Sequence, residues 1–193
     1  MEKEDKILSF DASQLLEKWK KKQEKVKRED WIDYFILKAY RISTRSLDPQ
    51  TQCGAIIITP EKDIVATGYN SFVRDIDDSV LPNLRPEKYD WMLHAEHNAI
   101  LSCARRGVSC NKCYAYITGP PCIYCTQYMY QVGIKKIFYT ELNPANMCQG
   151  KEAKIKWEIL AYLLNKKIEF YPIFPGEKLK RKILEIKSCR TLD

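Results

Sequence analysis

The sequence predicts a three-layer α/β/α sandwich built around a mixed five-stranded sheet. From residue 95 onward, helical and strand patterns alternate, which is typical of parallel strands joined by helical crossovers. Ahead of them, two short strands rich in β-branched residues are joined by a connection that is too tight for a parallel pair. We therefore expect both strand orientations in one sheet.

The first elements are a helix and a hairpin. Apolar spacing predicts a helix over about 30–46 that stops before Pro49, because the residue before a proline is steered out of the helical region. Strands are expected over 53–59 and 63–69, as the two arms of a hairpin. The polar segment 71–90 has no clear period, and a loop of this length in a compact domain is usually functional or mobile.

The remaining elements follow in regular order. They are a helix over 95–106, a strand over 114–118, a helix over 123–132, a strand over 134–140, a helix over 151–165 and a strand over 168–173. Gly107 stands where the first of these helices should end, and Arg105 precedes it in the last turn, at the negative end of the helix dipole.

Composition favours a single globular domain in a reducing compartment. The chain has 193 residues, of which 45% are hydrophobic, enough for one packed core. No apolar run approaches the roughly 18 residues of a membrane span, and the start MEKEDKILSF lacks the apolar centre of a signal peptide. We expect a cytoplasmic protein with no membrane partner, whose eight cysteines are free thiols or metal ligands.

The positive charge is concentrated at the two ends. The chain carries a net charge of +7, yet residues 17–28 and 178–190 each carry +5, so the rest carries −3. We divide the chain into a basic helical extension (1–28), a catalytic domain (29–175) and a basic tail (176–193). Two solvated faces are the simpler interpretation of the ends, and contact with nucleic acid or another polyanion is the alternative.

The N-terminal extension has a helical pattern over 12–27. Leu15, Trp19 and Val26 fall roughly on one face and lysines occupy the others. This predicts an added arm that docks on the core or on a partner.

A candidate metal site is formed by one histidine and two cysteines. Cys122 and Cys125 lie three residues apart at the start of a predicted helix, so both sulfurs share a face, and the positive helix end favours thiolates. His94 opens another helix that also follows a strand, so the two helix starts should meet at one edge of the sheet. Zinc prefers this ligand set, and three protein ligands leave a fourth position for water.

Cys110 and Cys113 suggest a competing structural interpretation. With Cys122 and Cys125 they form C-x2-C-x8-C-x2-C, which resembles a zinc ribbon. A site of four thiolates is closed and does no chemistry. The spacing between the pairs is shorter than the usual ribbon spacing, and a ribbon leaves His94 without a role. Small buried or exposed thiols are the simpler interpretation of the first pair.

Glu96 is placed to move protons rather than to bind the metal. On an ideal helix beginning at His94, residue 96 lies about 200° around the axis, so the two side chains are not stacked. At a helix start both can still lean into the pocket beyond the helix end. A carboxylate near the metal water, but not on the metal, is positioned as a proton shuttle.

The combination of H-x-E with a downstream P-C-x-x-C resembles the zinc-dependent cytidine and deoxycytidylate deaminase family. The wider match, over about residues 30–173, is closest to the deoxycytidylate branch. It is carried by SLDPQTQCGA (46–55), GYNS (68–71), RPEKYDWMLHAEHNAI (85–100), PPCIYC (120–125) and QVGIKKIFY (131–139). The resemblance implies a cytidine-deaminase-like fold, one zinc ion on His94, Cys122 and Cys125, and Glu96 as general acid/base.

The resemblance also implies residues that contact the substrate. Asn70 would contact the deoxyribose or the base, because an amide both donates and accepts hydrogen bonds; a plain turn residue is the alternative. Arg105 would serve the phosphate or a subunit contact, with the helix-end role as its alternative.

Further candidates for substrate binding lie in and beside the 71–90 loop. Arg74, with Arg85 and Lys88, would supply positive charge near the pocket. Tyr89 and Trp91 would either wall the pocket or pack in the core.

The implied activity is hydrolytic deamination of dCMP to dUMP with release of ammonia, which supplies dUMP for dTMP synthesis. A tRNA or single-stranded nucleic-acid deaminase of the same superfamily is the first alternative, although nucleic acid is not the favoured partner. A non-catalytic, zinc-stabilised binding module is the second. The resemblance further implies a homo-oligomer, commonly a hexamer, with dCTP and dTTP as regulators and Mg²⁺ accompanying the regulatory nucleotide.

Overall fold

The computed structural model describes residues 28–140 and 150–189, together with five positions nearer the N-terminus. These five are Ser13, Leu16, Glu17, Trp19 and Lys20, and all are helical and exposed. Leu15 and Val26, on which the expected apolar face of the N-terminal arm depends, lie outside the described residues.

Helices and strands alternate as the sequence predicts. The helices are α1 (Trp31–Ser43), α2 (Ala95–Arg106), α3 (Ile123–Gln131), α4 (Gly150–Leu163) and α5 (Glu177–Ser188), with a 3-10 helix at Glu87–Asp90. The strands are β1 (Gly54–Ile58), β2 (Ile64–Tyr69), β3 (Tyr114–Ile117), β4 (Lys136–Thr140) and β5 (Glu169–Ile173). None of the helices in the described ranges is long and apolar enough to cross a membrane.

The strands form one mixed sheet in the order β2-β1-β3-β4-β5 within the described part of the chain. Strand β1 is antiparallel to both neighbours, with Ile56 opposite Thr67 on one side and Tyr116 on the other. Strands β3, β4 and β5 are mutually parallel. The predicted five-stranded mixed sheet is confirmed. Because β1 is antiparallel to both β2 and β3, those two strands run in the same direction.

Both faces of the sheet are covered, which gives three layers. Alternate residues of β1 serve the two sides: Ile57 packs with α2 and α3, and Ile56 packs with α1 and α5. All five residues of β1 are buried, as expected for a central strand covered on both faces.

The C-terminal helix α5 was not predicted from the sequence, where the segment 176–193 is only a basic tail. Leu179 and Ile183, four residues apart, lie on one face of α5 and are buried in the same cluster as α1. Lys182 forms an ion pair with Glu29, which also ties α5 to the start of α1. The many charged residues of 176–193 made this short apolar face difficult to recognise in the sequence.

Helix ends follow local chemistry. The carboxylate of Asp30 caps α1 by accepting the backbone N–H of Ile32 at 2.8 Å. Gly107 ends α2 in the left-handed conformation, with φ of 65°, and thereby confirms the predicted stop.

A close approach between β2 and α2 requires a glycine. A Cβ atom on Gly68 would lie 2.2 Å from the carbonyl oxygen of Ala95 and 2.5 Å from the backbone nitrogen of Ala99. Both are backbone atoms of α2, so neither can move aside without moving the helix that begins after His94.

We expect Gly68→Ala to destabilise the protein. Overpacking against fixed backbone costs about 1–3 kcal/mol, which should appear as a lower urea midpoint in equilibrium unfolding. Gly119→Ala is the matched control, because a Cβ there meets nothing within 4 Å and its φ is not positive; it should change stability by about 0.5 kcal/mol or less. Equal midpoints for the two variants would contradict the close approach.

Candidate active site

The candidate ligands lie where two helices begin at one edge of the sheet. His94 is the N-cap residue of α2, and Cys122 is the N-cap residue of α3. Because β2 and β3 run in the same direction, the helices that follow them start at the same edge. Both N-cap residues have extended backbone, which is the ordinary conformation for this position.

The structure brings His94, Cys122 and Cys125 together. The Nδ1 atom of His94 is 3.5 Å from Sγ of Cys122 and 3.4 Å from Sγ of Cys125. All three ligand atoms lie within 4.8 Å of one another. Nitrogen and sulfur ligands at roughly 2.0–2.3 Å from one tetrahedral ion would be roughly 3.5–3.8 Å apart. The group therefore fits a zinc ion in both chemistry and spacing.

Electrostatics at this group favour thiolate. The pKa of Cys122 is lowered to about 4, first by a hydrogen bond from Cys125 and then by His94, against the opposing effect of burial. The pKa of His94 is raised to about 9, mainly by its hydrogen bond to Cys122. Zinc binding at these ligands is expected to depend on pH, because it requires a neutral imidazole and deprotonated thiols.

Glu96 lies in the first turn of α2 and lines the same cavity as His94 and Cys122. Its side chain is buried, and this burial raises the pKa of its carboxyl, while the positive charge of His94 acts in the opposite direction. Glu96 is not a member of the metal-ligand group found among the described residues. A buried carboxyl whose pKa is raised is better suited to accept a proton and return it than an ordinary surface carboxylate.

Cys110 and Cys113 belong to the hydrophobic core and not to the metal group. Both are buried in the cluster beneath α2 and α3. Burial, with a further contribution from Cys103, raises the pKa of Cys110 to about 12, and burial also raises the pKa of Cys113. Neutral thiols of this kind are poor metal ligands. In the described part of the chain, the structure therefore favours the three-ligand site over the zinc ribbon.

The cavity beside these residues is large enough for a ligand. Its volume is about 140 Å³, whereas one water molecule needs roughly 10–15 Å³ of such space. Its lining includes His94, Glu96 and Cys122, together with Tyr40 of α1 and Tyr89 of the 71–90 loop.

A buried carboxylate organises the part of the cavity that Asp48, Asn70 and Lys88 line. Oδ2 of Asp48 accepts hydrogen bonds from Nζ of Lys88 at 2.6 Å and from Nδ2 of Asn70 at 3.1 Å. Oδ1 accepts the backbone N–H groups of Gln50 and Thr51 at 2.8 and 3.0 Å. The side chains of Lys88 and Asp48 are only 4% and 3% exposed, so the two charges neutralise each other inside the protein.

Asn70 lines the cavity, but its amide is engaged by the protein. Its Oδ1 accepts the N–H of Cys53 at 2.7 Å, and its Nδ2 also donates to the carbonyl of Thr51 at 2.9 Å and to Sδ of Met92 at 3.3 Å. The residue thus joins the end of β2 to the segment before β1. Its predicted contact with the substrate stays a prediction.

Three predicted substrate residues are not brought to the cavity of the single chain. Arg74 is exposed and pairs with Asp75 at 3.8 Å. Arg105 is exposed near the far end of α2, about 15 Å from its start at about 1.5 Å per residue. Trp91 is 51% exposed and does not line the cavity. Of the aromatic pair, only Tyr89 lies in the wall.

The comparisons with known proteins agree with this geometry. The family model described as "Cytidine and deoxycytidylate deaminase zinc-binding region" matches residues 29–141, more than half of the chain. The chain belongs to this family.

The most similar curated proteins include members of the deoxycytidylate branch. "Probable deoxycytidylate deaminase" of Drosophila melanogaster is 36% identical over 142 residues, covering 66% of this chain and 69% of the relative. "Deoxycytidylate deaminase" of Homo sapiens is 35% identical over 122 residues, covering 58% of this chain and 67% of the relative.

Among solved structures, the fold resembles that of dCMP deaminase from the cyanophage S-TIM5. The apo form has a TM-score of 0.56 at 23% identity and covers 76% of this chain and 100% of the phage chain. The complex with dCMP and dUMP has a TM-score of 0.57 at 19% identity and covers 77% of this chain. At these identities the likeness establishes the fold alone, and it confirms the cytidine-deaminase-like architecture.

Asp48 and Tyr40 are among the cavity residues that were not predicted from the sequence, and only Asp48 had a usable signal. Asp48 precedes Pro49, and an aspartate there commonly accepts backbone N–H groups two or three residues on, as it does from Gln50 and Thr51. Tyr40 had no such signal, because a tyrosine in an amphipathic helix predicts only core packing.

We expect Cys122→Ser and Cys125→Ser to lose zinc, since each removes one of three ligands. Elemental analysis of the purified protein measures the stoichiometry. Cys113→Ser is the matched control, because it removes a buried thiol outside the ligand group, and it should retain one zinc per chain. Full zinc in Cys122→Ser together with loss in Cys113→Ser would establish a different site.

Breaking the ion pair between Lys88 and Asp48 should be costly. We expect Lys88→Met to lower the free energy of unfolding by about 3–5 kcal/mol, because it leaves a buried carboxylate uncompensated. The double change Lys88→Met with Asp48→Asn should recover much of this loss. Lys180→Met, which removes an exposed pair with Glu177, should cost less than about 1 kcal/mol. If the losses in unfolding free energy of Lys88→Met and Asp48→Asn simply added in the double variant, the two side chains would not be coupled, and the prediction would be wrong.

Proposed function

We propose that the protein catalyses the hydrolytic deamination of dCMP, in which water replaces the C4 amino group of cytosine and dUMP and ammonia leave. One observation carries this proposal. A nitrogen–sulfur–sulfur ligand group and a buried carboxyl, Glu96, line one cavity. The 35–36% identity to proteins named deoxycytidylate deaminase supports dCMP as the substrate.

His94, Cys122 and Cys125 would hold one catalytic zinc ion. A zinc ion bound there supplies a Lewis acid that lowers the pKa of water toward 7. The protein contributes ligands fixed by two helix starts, so their positions are set before the substrate arrives. Cys122 remains a thiolate over the physiological pH range because its pKa is lowered to about 4.

Glu96 would carry the protons of the reaction. The attacking water loses two protons overall; one ends on N3 of the base and the other on the departing amine, which leaves as ammonia. A carboxyl that is buried and has a raised pKa can both accept and return these protons. Its place in the first turn of α2, in the cavity that His94 also lines, supports this role.

The loop-side wall would receive the remainder of the nucleotide. Arg85 lines the cavity and donates from its guanidinium to Oγ1 of Thr51 at 2.7 Å. Its charge would attract the 5′-phosphate. Tyr89 would lie beside the sugar or base, and Asn70 would contact the substrate through the second lone pair of its oxygen. Lys88 is a poor phosphate ligand, because Asp48 neutralises it.

Assembly and regulation complete the proposal. Exposed apolar side chains on α4, namely Ile155, Ile159, Tyr162 and Leu163, provide a face that another copy would cover in a homo-oligomer such as a hexamer. Control by dCTP and dTTP, with Mg²⁺ on the regulatory nucleotide, and a cytoplasmic location rest on the family resemblance.

The alternatives are less well supported. A zinc-stabilised module without catalysis has no use for a buried carboxyl beside its ligands, since burial of Glu96 carries a free-energy cost. A nucleic-acid deaminase would use the basic ends, yet the similar curated proteins above carry the deoxycytidylate name.

A substrate panel tests the activity directly. Ammonia release should be measured side by side from dCMP, CMP, dCTP, deoxycytidine and a single-stranded oligonucleotide. We expect the highest kcat/KM with dCMP. Turnover confined to the oligonucleotide would replace the proposal with its first alternative, and no turnover of any substrate by the zinc-loaded protein would favour the second.

Within the same assay, Glu96→Gln separates binding from chemistry. Glutamine keeps the size of the side chain and lies outside the ligand group, so one zinc per chain should remain. Loss of proton transfer should lower kcat for dCMP by about 10²–10⁴-fold. Near-normal turnover in this variant would mean that Glu96 has a structural role and that another group carries the protons.

A further inference from the structure

Helix α5 brings a lysine to the active-site cavity. Leu179, Ile183 and Lys187 are spaced four residues apart, so they lie on neighbouring parts of one helix face. The first two are buried against α1 and anchor the helix, while Lys187, one turn further on, lines the cavity. This segment lies beyond residues 29–141, which the family model matches.

The side chain of Lys187 is held against the cavity wall. Its Nζ lies 5.1 Å from the centre of the Tyr40 ring, at cation–π distance. The hydroxyl of Tyr40 is in turn fixed by Oγ1 of Thr140 at 2.7 Å and donates to the carbonyl of Thr118 at 3.1 Å. Thr118 and Thr140, at the ends of β3 and β4, also line the cavity. A flexible stem ending in a charge can reach a ligand from this position.

Few positively charged side chains at the cavity are available to bind an anionic ligand. Three lysine and arginine side chains line it: Arg85, Lys88 and Lys187. Asp48 neutralises Lys88 in the buried pair. Within the ranges that the structure describes, no carboxylate forms an ion pair with Arg85 or Lys187, although neighbouring lysines of α5 pair with Glu177 and Glu29.

We propose that Lys187 binds the 5′-phosphate of the substrate and makes the enzyme prefer a nucleotide over a nucleoside. This inference rests on the proposed deamination of dCMP. A phosphate dianion is attracted to an unpaired ammonium group, and Lys187 and Arg85 are the two such cations at the described cavity. Helix α5 is then part of the substrate site.

The test compares Lys187→Gln with Lys178→Gln. Both remove one positive charge from an exposed position on α5, and only Lys187 lines the cavity. For Lys187→Gln we expect KM for dCMP to rise roughly tenfold while kcat changes less than about twofold, because one charge-assisted contact to a bound group is lost. Lys187→Arg should restore most of the affinity, and Lys178→Gln should match the unaltered protein.

Two further readouts exclude a structural role. The inhibition constant of the product dUMP should rise with KM in Lys187→Gln, whereas the thermal midpoint of unfolding should match that of Lys178→Gln. Raising the salt concentration should weaken dCMP binding less in Lys187→Gln than in the unaltered protein. Unchanged KM and dUMP inhibition would overturn the assignment of Lys187, while failure of the unaltered enzyme to deaminate dCMP would overturn the proposed function itself.

Discussion

Strands β2 and β3 run in the same direction although β1 lies between them, and this constraint decides where the chemistry occurs. Each strand is followed by a helix, so α2 and α3 start at one edge of the sheet and their N-cap residues, His94 and Cys122, meet there. The same helix starts favour thiolates through their positive ends. Gly68 keeps α2 close enough to β2 for this arrangement.

Burial has opposite consequences for two sets of charged groups that line the cavity: it is compensated for the Asp48–Lys88 pair and uncompensated for Glu96. The ion pair of Asp48 and Lys88 removes charge from the interior and fixes the loop to the segment before β1. Burial raises the pKa of Glu96, which is unfavourable for the ionised carboxylate and useful for proton exchange. The paired charges hold the 71–90 loop to the segment before β1, whereas Glu96 keeps a desolvated carboxyl, which is what the proposed proton exchange requires.

Element order, helix ends and the grouping of the metal ligands depend on local sequence patterns and could be predicted. The distance of a residue from the cavity depends on the three-dimensional structure and could not. The order of helices and strands, the stop at Gly107 and the grouping of His94 with the two cysteines follow from periodicity, helix capping and spacing. Arg105 was expected by resemblance to serve the phosphate or a subunit contact; ten residues of α2 separate it from His94, and its role stays a prediction. Helix α5 was missed because its charge masked two buried residues.

The role proposed for Lys187 agrees with the different chemical requirements of the base and the phosphate of a nucleotide. Proton transfer at the base requires a buried carboxyl and few competing charges, and the paired Asp48 and Lys88 provide such a wall. A phosphate dianion requires cations that are not already paired and that retain access to water. Arg85 of the 71–90 loop and Lys187 in the last turn of α5 meet both requirements, since both are exposed, line the cavity and have no carboxylate partner in the described part of the chain.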